Sequence, residues 1–204
     1  MSTQITESIH TTDHPAGAAT RHVDGVELPG AGAWRVDPGH ADVSFVGRHF
    51  GLTRVRGRFT GIDGVATIGA RLADSHVEVS IDMASVASGD RSRDDHLRSP
   101  DFFDVVRHPT ATFRSTAISV DGTHAVMSGD LTIKGVTRPV RLGVDYLGHA
   151  VDPAGEDRLV FSAAGVLDRE QWGLTWNMLL EAGGMLVSKE IRLEIDVELE
   201  RAAL

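Results

Sequence analysis

Histidines are the residues of this sequence best suited to acid–base or metal chemistry, because imidazole titrates near neutral pH and binds metals. The 204 residues include ten histidines, among them His40, His49, His76, His96 and His108. None forms an H-E-x-x-H motif or an H-x-H pair, the spacings that bring two imidazoles to one metal. We therefore expect structural or surface roles for the histidines and no metal site.

Motifs for covalent or phosphate chemistry are also missing from the sequence. It contains no cysteine, no G-x-S-x-G motif and no G-x-x-x-x-G-K-[ST] motif, so thiolate, serine-hydrolase and P-loop chemistry have no support. The segment Gly30-Ala31-Gly32 begins like a dinucleotide-binding loop, but the third glycine and the preceding strand are lacking. These patterns predict a protein that is not an enzyme.

Arginines stand at three alternate positions, Arg54, Arg56 and Arg58, so on a strand all three point to the same side. One interpretation is a clamp for a diphosphate or another polar head group. The other is a solvated outer face on which the arginines pair with carboxylates. The same ion pairing is expected where arginines and aspartates alternate in residues 90–98.

Large aromatic side chains are few but are spread over nearly every predicted element. In a filled barrel or a sandwich they form packed core. In a roomy barrel they line a dry cavity that takes an alkyl chain. The positions are Phe45, Phe59, Phe102, Phe103, Phe113, Tyr146, Phe161, Trp172 and Trp176.

Short runs of alternating apolar and polar residues dominate the chain from Trp34 onward and predict antiparallel strands with one wet face. Turn signals such as Asp63-Gly64 and Asp121-Gly122 separate some of them. With a single helix and no βαβ pattern, the fold class is all-β, a barrel or a sandwich. Closure is favoured because it removes exposed edges. The eight runs are Val43–Phe45, Val55–Phe59, Val77–Met83, Ala111–Ala117, Ala125–Ile133, Val140–Tyr146, Leu159–Leu167 and Ile191–Leu199.

Two segments differ from this strand pattern. Asp90 to Phe103 contains helix formers, a capping signal from Ser92 through Asp95, and a late proline, which together predict a short helical cover. Residues 1 to about 30 show neither the period of two typical of strands nor the period of 3.6 typical of helices. They are expected to form a flexible N-terminal tail, with the barrel over residues 31–204.

Composition limits the partners and the compartment. Hydrophobic residues make up 41% and charged residues 24%, as in folded globular proteins. The net charge of −9 argues against nucleic acid, which is held by Lys and Arg. Neither a signal-peptide pattern nor an apolar stretch of about twenty residues is present, so we expect a cytoplasmic protein.

Several short motifs follow one another in a specific order between about Trp34 and Leu199. They are Trp34 to His40, Phe45 with His49, Gly57 to Phe59, Arg93 to Ser99, Asp101 to Asp104, His108 to Phe113, Gly129 to Val140, Asp168-Arg169 with Trp172-Gly173, and Val187 to Ile191. In their order and spacing, the chain resembles the YceI-like, polyisoprenoid-binding family.

The resemblance implies an extended eight-stranded, lipocalin-like antiparallel barrel. It also implies an apolar tunnel for a long-chain lipid, an isoprenoid quinone, a polyprenyl diphosphate or a fatty-acid derivative. A homodimer is implied too, whereas the secretion signal of many relatives is lacking here. No covalent cofactor is expected, and transient membrane contact fits such a ligand. Size and strand phase select seven aromatic candidates for the tunnel wall, and His49 joins them as a polar candidate near the mouth. The ligand-binding candidates are Phe45, His49, Phe59, Phe113, Tyr146, Phe161, Trp172 and Trp176.

Other functions remain open alternatives. An enzyme acting on a lipid inside the barrel would use His49 with a nearby aspartate as an acid–base pair. An interaction module would have a solid core filled by its own aromatic side chains. Polar groups that fix the lipid head group are sought near the barrel mouth, with His40, Arg48, His49 and Arg54 as candidates.

Overall fold

The computed structural model describes residues 18–178 and 186–202. In this part of the chain, one helix, α1 (Arg91–Arg98), lies among many strands, and it is too short and too polar to span a membrane. The strands are β1 (Thr20–Val23), β2 (Val26–Pro29), β3 (Gly32–His49), β4 (Thr53–Phe59), β5 (Ile62–Ile68), β6 (His76–Asp82), β7 (Val86–Ala87), β8 (Thr110–Asp121), β9 (His124–Ile133), β10 (Val136–Val151), β11 (Asp157–Asp168) and β12 (Glu190–Arg201).

The long strands close into a barrel because the last strand pairs with the first long one. β12 runs antiparallel to β3, with Arg201 opposite Trp34 and Arg192 opposite Val46. The ring then continues through β5, β6, β8, β9, β10 and β11 back to β12. This closed ring of eight antiparallel strands is the predicted fold, which is thereby confirmed.

The long strand β3 pairs with two shorter strands, β4 and β5, along the same edge. β5 pairs with the beginning of β3, where Gly32 faces Ile68, and β4 pairs with its end, where His49 faces Thr53. The single strand β3 therefore supports both β4 and β5 along its 18 residues. This length extends the barrel along its axis and gives it two separate ends.

Alternation explains which side chains enter the barrel. In β12 the apolar residues from Ile191 to Leu199 face inward, whereas Arg192 and Glu194 face solvent and form an ion pair at 3.3 Å. The same period of two directs Val140, Leu142 and Tyr146 of β10 inward, and all three are buried. The predicted strand phases are correct for these two strands.

One predicted turn is wrong. Asp63-Gly64 lies inside β5, where Gly64 faces Val79 of β6. A Cβ atom at Gly64 would lie 2.9 Å from the carbonyl oxygen of Glu78, so glycine is needed here for close strand approach rather than for a turn. The predicted turn at Asp121-Gly122 is correct, because Gly122 has φ +58° between β8 and β9.

A β-hairpin lies within the last part of the predicted N-terminal tail. β1 and β2 form a hairpin over Thr20–Pro29, turned by Asp24 (φ +51°) and Gly25 (φ +82°), which is the signature of an Asp-Gly hairpin turn. Leu28 is buried, and Arg21 donates to the carbonyl oxygen of Gly69 at 3.1 Å. Residues 20–29 therefore contain regular strands that pack on the barrel, and residues 1–17 lie outside the described part.

The helical cover is present over residues 90–103, here called the cover segment. Its N-terminal cap is Asp90, which accepts from the backbone N–H of Arg93 at 2.9 Å, and the predicted capping role of Ser92 is wrong. Arg98 donates to the carbonyl oxygens of Ala84 (2.9 Å) and Val86 (2.6 Å). Phe102 and Phe103 are both buried, so the segment is fixed to the barrel at and beyond the C-terminal end of the helix.

Candidate functional site

The barrel is hollow beneath the cover segment. A cavity of about 620 Å³, cavity 1, lies there, within the size range of ligand pockets in proteins. Its lining is mostly apolar and comes from both the barrel wall and the cover. Representative lining residues are Val43 and Val55 of β3 and β4, Ile133 of β9, Leu167 of β11, Ile191 of β12, and Leu97 of the cover segment.

A second cavity, cavity 2, occupies the other end of the barrel and has a volume of about 240 Å³. The β1–β2 hairpin contributes Leu28 and Pro29 to its wall. Val43, Ile81, Leu131 and Leu193 line both cavities. The two spaces therefore adjoin across four aliphatic side chains, and the barrel is not the solid core of the interaction-module alternative.

All eight sequence-predicted site residues line one of these cavities. Cavity 1 contains Phe45, His49, Phe59, Trp172 and Trp176 in its wall. Cavity 2 contains Phe113, Tyr146 and Phe161. The structure places these residues in the cavity walls, whereas their contact with a ligand stays a prediction.

Two of these rings lie flat against glycines. A Cβ atom at Gly57 would lie 2.3 Å from Cζ of Phe45, and one at Gly129 would lie 2.4 Å from Cζ of Phe113. Real Cβ atoms do not approach rings so closely, so only glycine permits these ring positions. Each ring thus covers backbone at the barrel wall and leaves the lumen open.

Aromatic contacts link the cover segment to the wall of cavity 1. Phe103 lies 5.6 Å from Phe59 between ring centroids, and Phe102 lies 5.4 Å from Trp176. His96 lies edge-on to Trp176 at 4.5 Å, and its Nε2 atom is 3.1 Å from Asp101. These contacts are of the offset or edge-to-face kind that aromatic pairs prefer, and they hold the cover over the cavity.

The charged residues in the lining of cavity 1 are mainly basic. Arg93 and Arg169 stand against the single carboxylate of Asp90. Arg48 also borders the cavity, but it is exposed and lies beside Arg54 on the other face of the strand. Arg169 is only 5% exposed, and burial lowers the pKa of its guanidinium. Sequence reasoning named Asp168-Arg169 as part of a motif but did not assign Arg169 to the site.

Cavity 2 has one notable polar group, the hydroxyl of Tyr146. This oxygen is buried and has no hydrogen-bond partner among the described residues. Burial, assisted by the negative charge of Glu27, raises the pKa of Tyr146 to about 12, so the phenol stays neutral. A neutral donor at the end of an apolar cavity can bind a ligand oxygen or a water.

The alternating arginines do not form a clamp. Arg56 pairs with Glu194, and Arg58 lies 3.6 Å from Asp42; both arginine side chains are well exposed on the outer face. The solvated-face interpretation is therefore correct for these two residues. His40, another head-group candidate, pairs with Asp37 at 2.9 Å on the surface and lines neither cavity.

Known proteins share the sequence pattern of this chain. A family model described as the YceI-like domain matches residues 34–199. The chain belongs to the YceI-like family. This YceI-like chain is 37% identical to Protein YceI of Escherichia coli O157:H7 over 160 residues, which cover 78% of this chain and 81% of that protein.

Solved structures share the fold of this YceI-like chain. The crystal structure of Burkholderia cenocepacia BcnA matches with a TM-score of 0.70 and 24% identity, over 80% of this chain and 98% of that one. A polyisoprenoid binding domain from Saccharophagus degradans matches with a TM-score of 0.60 and 16% identity, over 85% and 100% of the two chains. At these identities the likeness shows the fold alone.

His49, the acid–base candidate of the enzyme alternative, lines cavity 1 in this YceI-like chain. Its ring lies 4.1 Å from that of Phe50. Among the described residues it forms no ion pair with a carboxylate. Asp90 is the aspartate that lines the same cavity, and its carboxylate accepts from the backbone N–H of Arg93.

Proposed function

We propose that this chain binds one long-chain isoprenoid lipid, such as an isoprenoid quinone or polyprenyl diphosphate, or a related amphiphile, and carries it without chemical change. The observation that supports this most directly is the pair of adjoining apolar cavities in a closed barrel. The four side chains between them are aliphatic and can change rotamer, so that the two spaces join into one tunnel. A single extended chain would then occupy both ends.

Burial of an alkyl or prenyl chain supplies the affinity. Removing about 300 Å² of apolar ligand surface from water contributes about 7.5 kcal/mol at about 25 cal/mol per Å². Lost translational and rotational freedom opposes this, so the net affinity is set by how completely the tunnel encloses the chain. No reactive residue is needed for such binding.

Relatives add support of a different kind. The S. degradans domain that shares this fold is described as polyisoprenoid binding, and family membership is established over residues 34–199. The family relation favours a binding protein over an enzyme. The expected homodimer and cytoplasmic location stay predictions from the sequence, and analytical ultracentrifugation and cell fractionation test them.

An exposed apolar turn beside cavity 1 supports transient contact with membranes. Between β3 and β4, Phe50 is 52% exposed and Leu52 is 80% exposed. Arg48 and Arg54 face each other across the two strands just behind this turn. Apolar side chains flanked by arginines suit a surface of anionic phospholipid, from which a water-insoluble ligand is loaded.

The proposal is tested by native purification, organic extraction and mass spectrometry of the extract. We expect about one long-chain lipid per chain. Leu193→Trp, which fills the boundary between the two cavities, should shift the preferred ligand to shorter chains while the protein still folds. Its control is Arg56→Gln on the outer face, which should bind like wild type. Absence of lipid from native protein, with no uptake of farnesol by lipid-free protein, contradicts the proposed function.

A further inference from the structure

Arg169 is a buried cation in the wall of cavity 1. It follows β11 at the start of a short 3-10 turn, Arg169–Trp172, and its backbone N–H donates to the carbonyl oxygen of Lys189 at 3.0 Å. Arginine is charged at any physiological pH, and a buried charge without compensation is costly. The surroundings of this guanidinium therefore bear on what the cavity binds.

The guanidinium is only partly satisfied by the protein. Nε donates to the carbonyl oxygen of Ser188 at 2.9 Å, and Nη1 donates to that of Leu174. Nη2 is buried and has no hydrogen-bond partner in the described structure. Both acceptors are neutral, and the ring of Phe102 lies 6.0 Å from Cζ of Arg169, so among the described residues no carboxylate compensates the positive charge.

The nearest acidic side chains are engaged elsewhere. Asp168 accepts from the backbone N–H of Glu170 at 3.0 Å, and Glu170 pairs with Lys189 at 2.7 Å. Burial lowers the pKa of Arg169, and this effect is larger than the opposing effect of the negative charges of Glu170 and Asp168. Neither carboxylate forms an ion pair with Arg169 in the part of the chain described by the structure.

The rest of the cavity adds positive charge. Arg93 lines it together with Arg169, and the opposing carboxylate of Asp90 is occupied by capping α1. Arg93 donates to Ser88 at 2.8 and 2.9 Å, through Nε and Nη2. A cavity with a basic excess inside a chain of net charge −9 is electrostatically matched to an anion.

We propose that Nη2 of Arg169 binds an anionic oxygen, of a carboxylate or a phosphate, at the polar end of the lipid in cavity 1. This inference rests on the proposed function and narrows it: an ionised amphiphile is preferred over a neutral lipid with the same tail. The apolar wall removes the tail from water, and Arg169 selects the head group. In a low-dielectric wall such a charge-assisted hydrogen bond is stronger than in water.

The experiment measures ligand affinity by calorimetry in pairs that share one apolar tail and have either an anionic or a neutral head group. The pairs are dodecanoate with dodecanol, and farnesyl diphosphate with farnesol, each below its aggregation threshold. Wild type should bind the anion about 10- to 100-fold more tightly than the alcohol, the range for a hydrogen bond to a charged group. Arg169→Gln should remove most of that preference and change alcohol affinity by less than about threefold.

Two controls separate recognition from folding. Arg169 also holds the carbonyl oxygens of Leu174 and Ser188, so melting curves accompany each variant, and Arg169→Lys keeps the charge. Arg169→Lys should retain part of the preference for the anion. Arg56→Gln removes an arginine from the outer face and should retain all of it.

The outcomes distinguish the two proposals. Equal affinity of wild type for anion and alcohol overturns the role of Arg169 but leaves the lipid-binding function intact, and this comparison needs no variant to fold. Retention of the full preference in Arg169→Gln also overturns it. Failure of every amphiphile to bind contradicts the proposed function itself. The pair that loses more of its anion preference in Arg169→Gln shows which of the two head groups, carboxylate or diphosphate, depends more on Arg169.

Discussion

Gly57→Ala should push the ring of Phe45 off the barrel wall and into cavity 1. The added Cβ would lie 2.3 Å from Cζ of Phe45 and 2.8 and 2.9 Å from its two Cε atoms. Carbon atoms make favourable contact at about 3.5–4.0 Å, so the ring has to move by about 1.2 Å or more. Gly57 lies on the wall side of the Phe45 ring and cavity 1 lies on its other side, so the ring should move toward the cavity.

The energetic cost is that of an overpacked core. Forcing a ring from its position costs about 1–3 kcal/mol, and each kcal/mol lowers the Tm of a domain of this size by about 2–4 °C. Phe59 and Phe103, whose centroids lie 5.5 and 6.5 Å from that of Phe45, limit the sideways escape of the ring. We therefore expect both a lower Tm and a smaller cavity.

Thermal melting and calorimetric binding of farnesol measure the two effects. Gly143→Ala is the matched control, because the nearest atom to a Cβ there is the carbonyl oxygen of Ala164 at 4.0 Å. The double variant Gly57→Ala/Phe45→Leu should recover Tm and farnesol affinity, since leucine lacks the ring that meets the new methyl group. If Gly57→Ala alone melts and binds like wild type, the ring does not rest on this glycine and the reasoning fails.

Three further perturbations test the cover, the loading route and the pH response. Phe103→Ala should lower the free energy of unfolding by about 3 kcal/mol, measured by urea denaturation; a loss below about 1 kcal/mol means the cover segment packs loosely. Phe50→Ser/Leu52→Ser should slow lipid uptake from vesicles containing anionic phospholipid without changing Tm, and unchanged uptake would contradict membrane contact at this turn. Hydrogen bonds from the Glu156 backbone N–H and from Arg158 lower the pKa of Asp152 in the folded protein. Their contribution to folding stability is therefore complete above the unfolded pKa of about 4 and is lost as the pH falls through the folded pKa. Arg158→Met should therefore reduce the loss of Tm between pH 6 and pH 3, and an identical slope would refute this.

Strand phase was the part of the fold that the sequence predicted best. Alternation over residues such as Ile191 to Leu199 is a direct consequence of one apolar and one wet face, so inward residues were recognisable one strand at a time. β5 was missed because Gly64 and Ala66 replace large apolar residues at its buried positions. The hairpin over Thr20–Pro29 was missed although Asp24-Gly25 is a hairpin signal.

The aromatic wall was predictable for the same reason as the strands, whereas the position of its rings was not. Phe45 and Phe113 were placed inside the barrel by their phase, but only the three-dimensional register sets them over Gly57 and Gly129. Arg169 was missed because it lies on a turn, where alternation says nothing about burial. Its charge also argued for solvent exposure, since buried arginines are rare unless paired.

The buried Arg169 and the rings of Phe45 and Phe113 have the same consequence for the empty barrel, because both lower its stability. Rings that rest on Gly57 and Gly129 leave space that the protein does not fill, and empty apolar space reduces stability because the surrounding atoms lose contacts. A buried guanidinium whose Nη2 has no hydrogen-bond partner among the described residues reduces it further. Under the proposed function, an anionic lipid would relieve both costs, because its tail would supply the missing contacts and its head group the missing acceptor. The features that weaken the empty barrel would then be those that make binding favourable, as the proposed carrier requires.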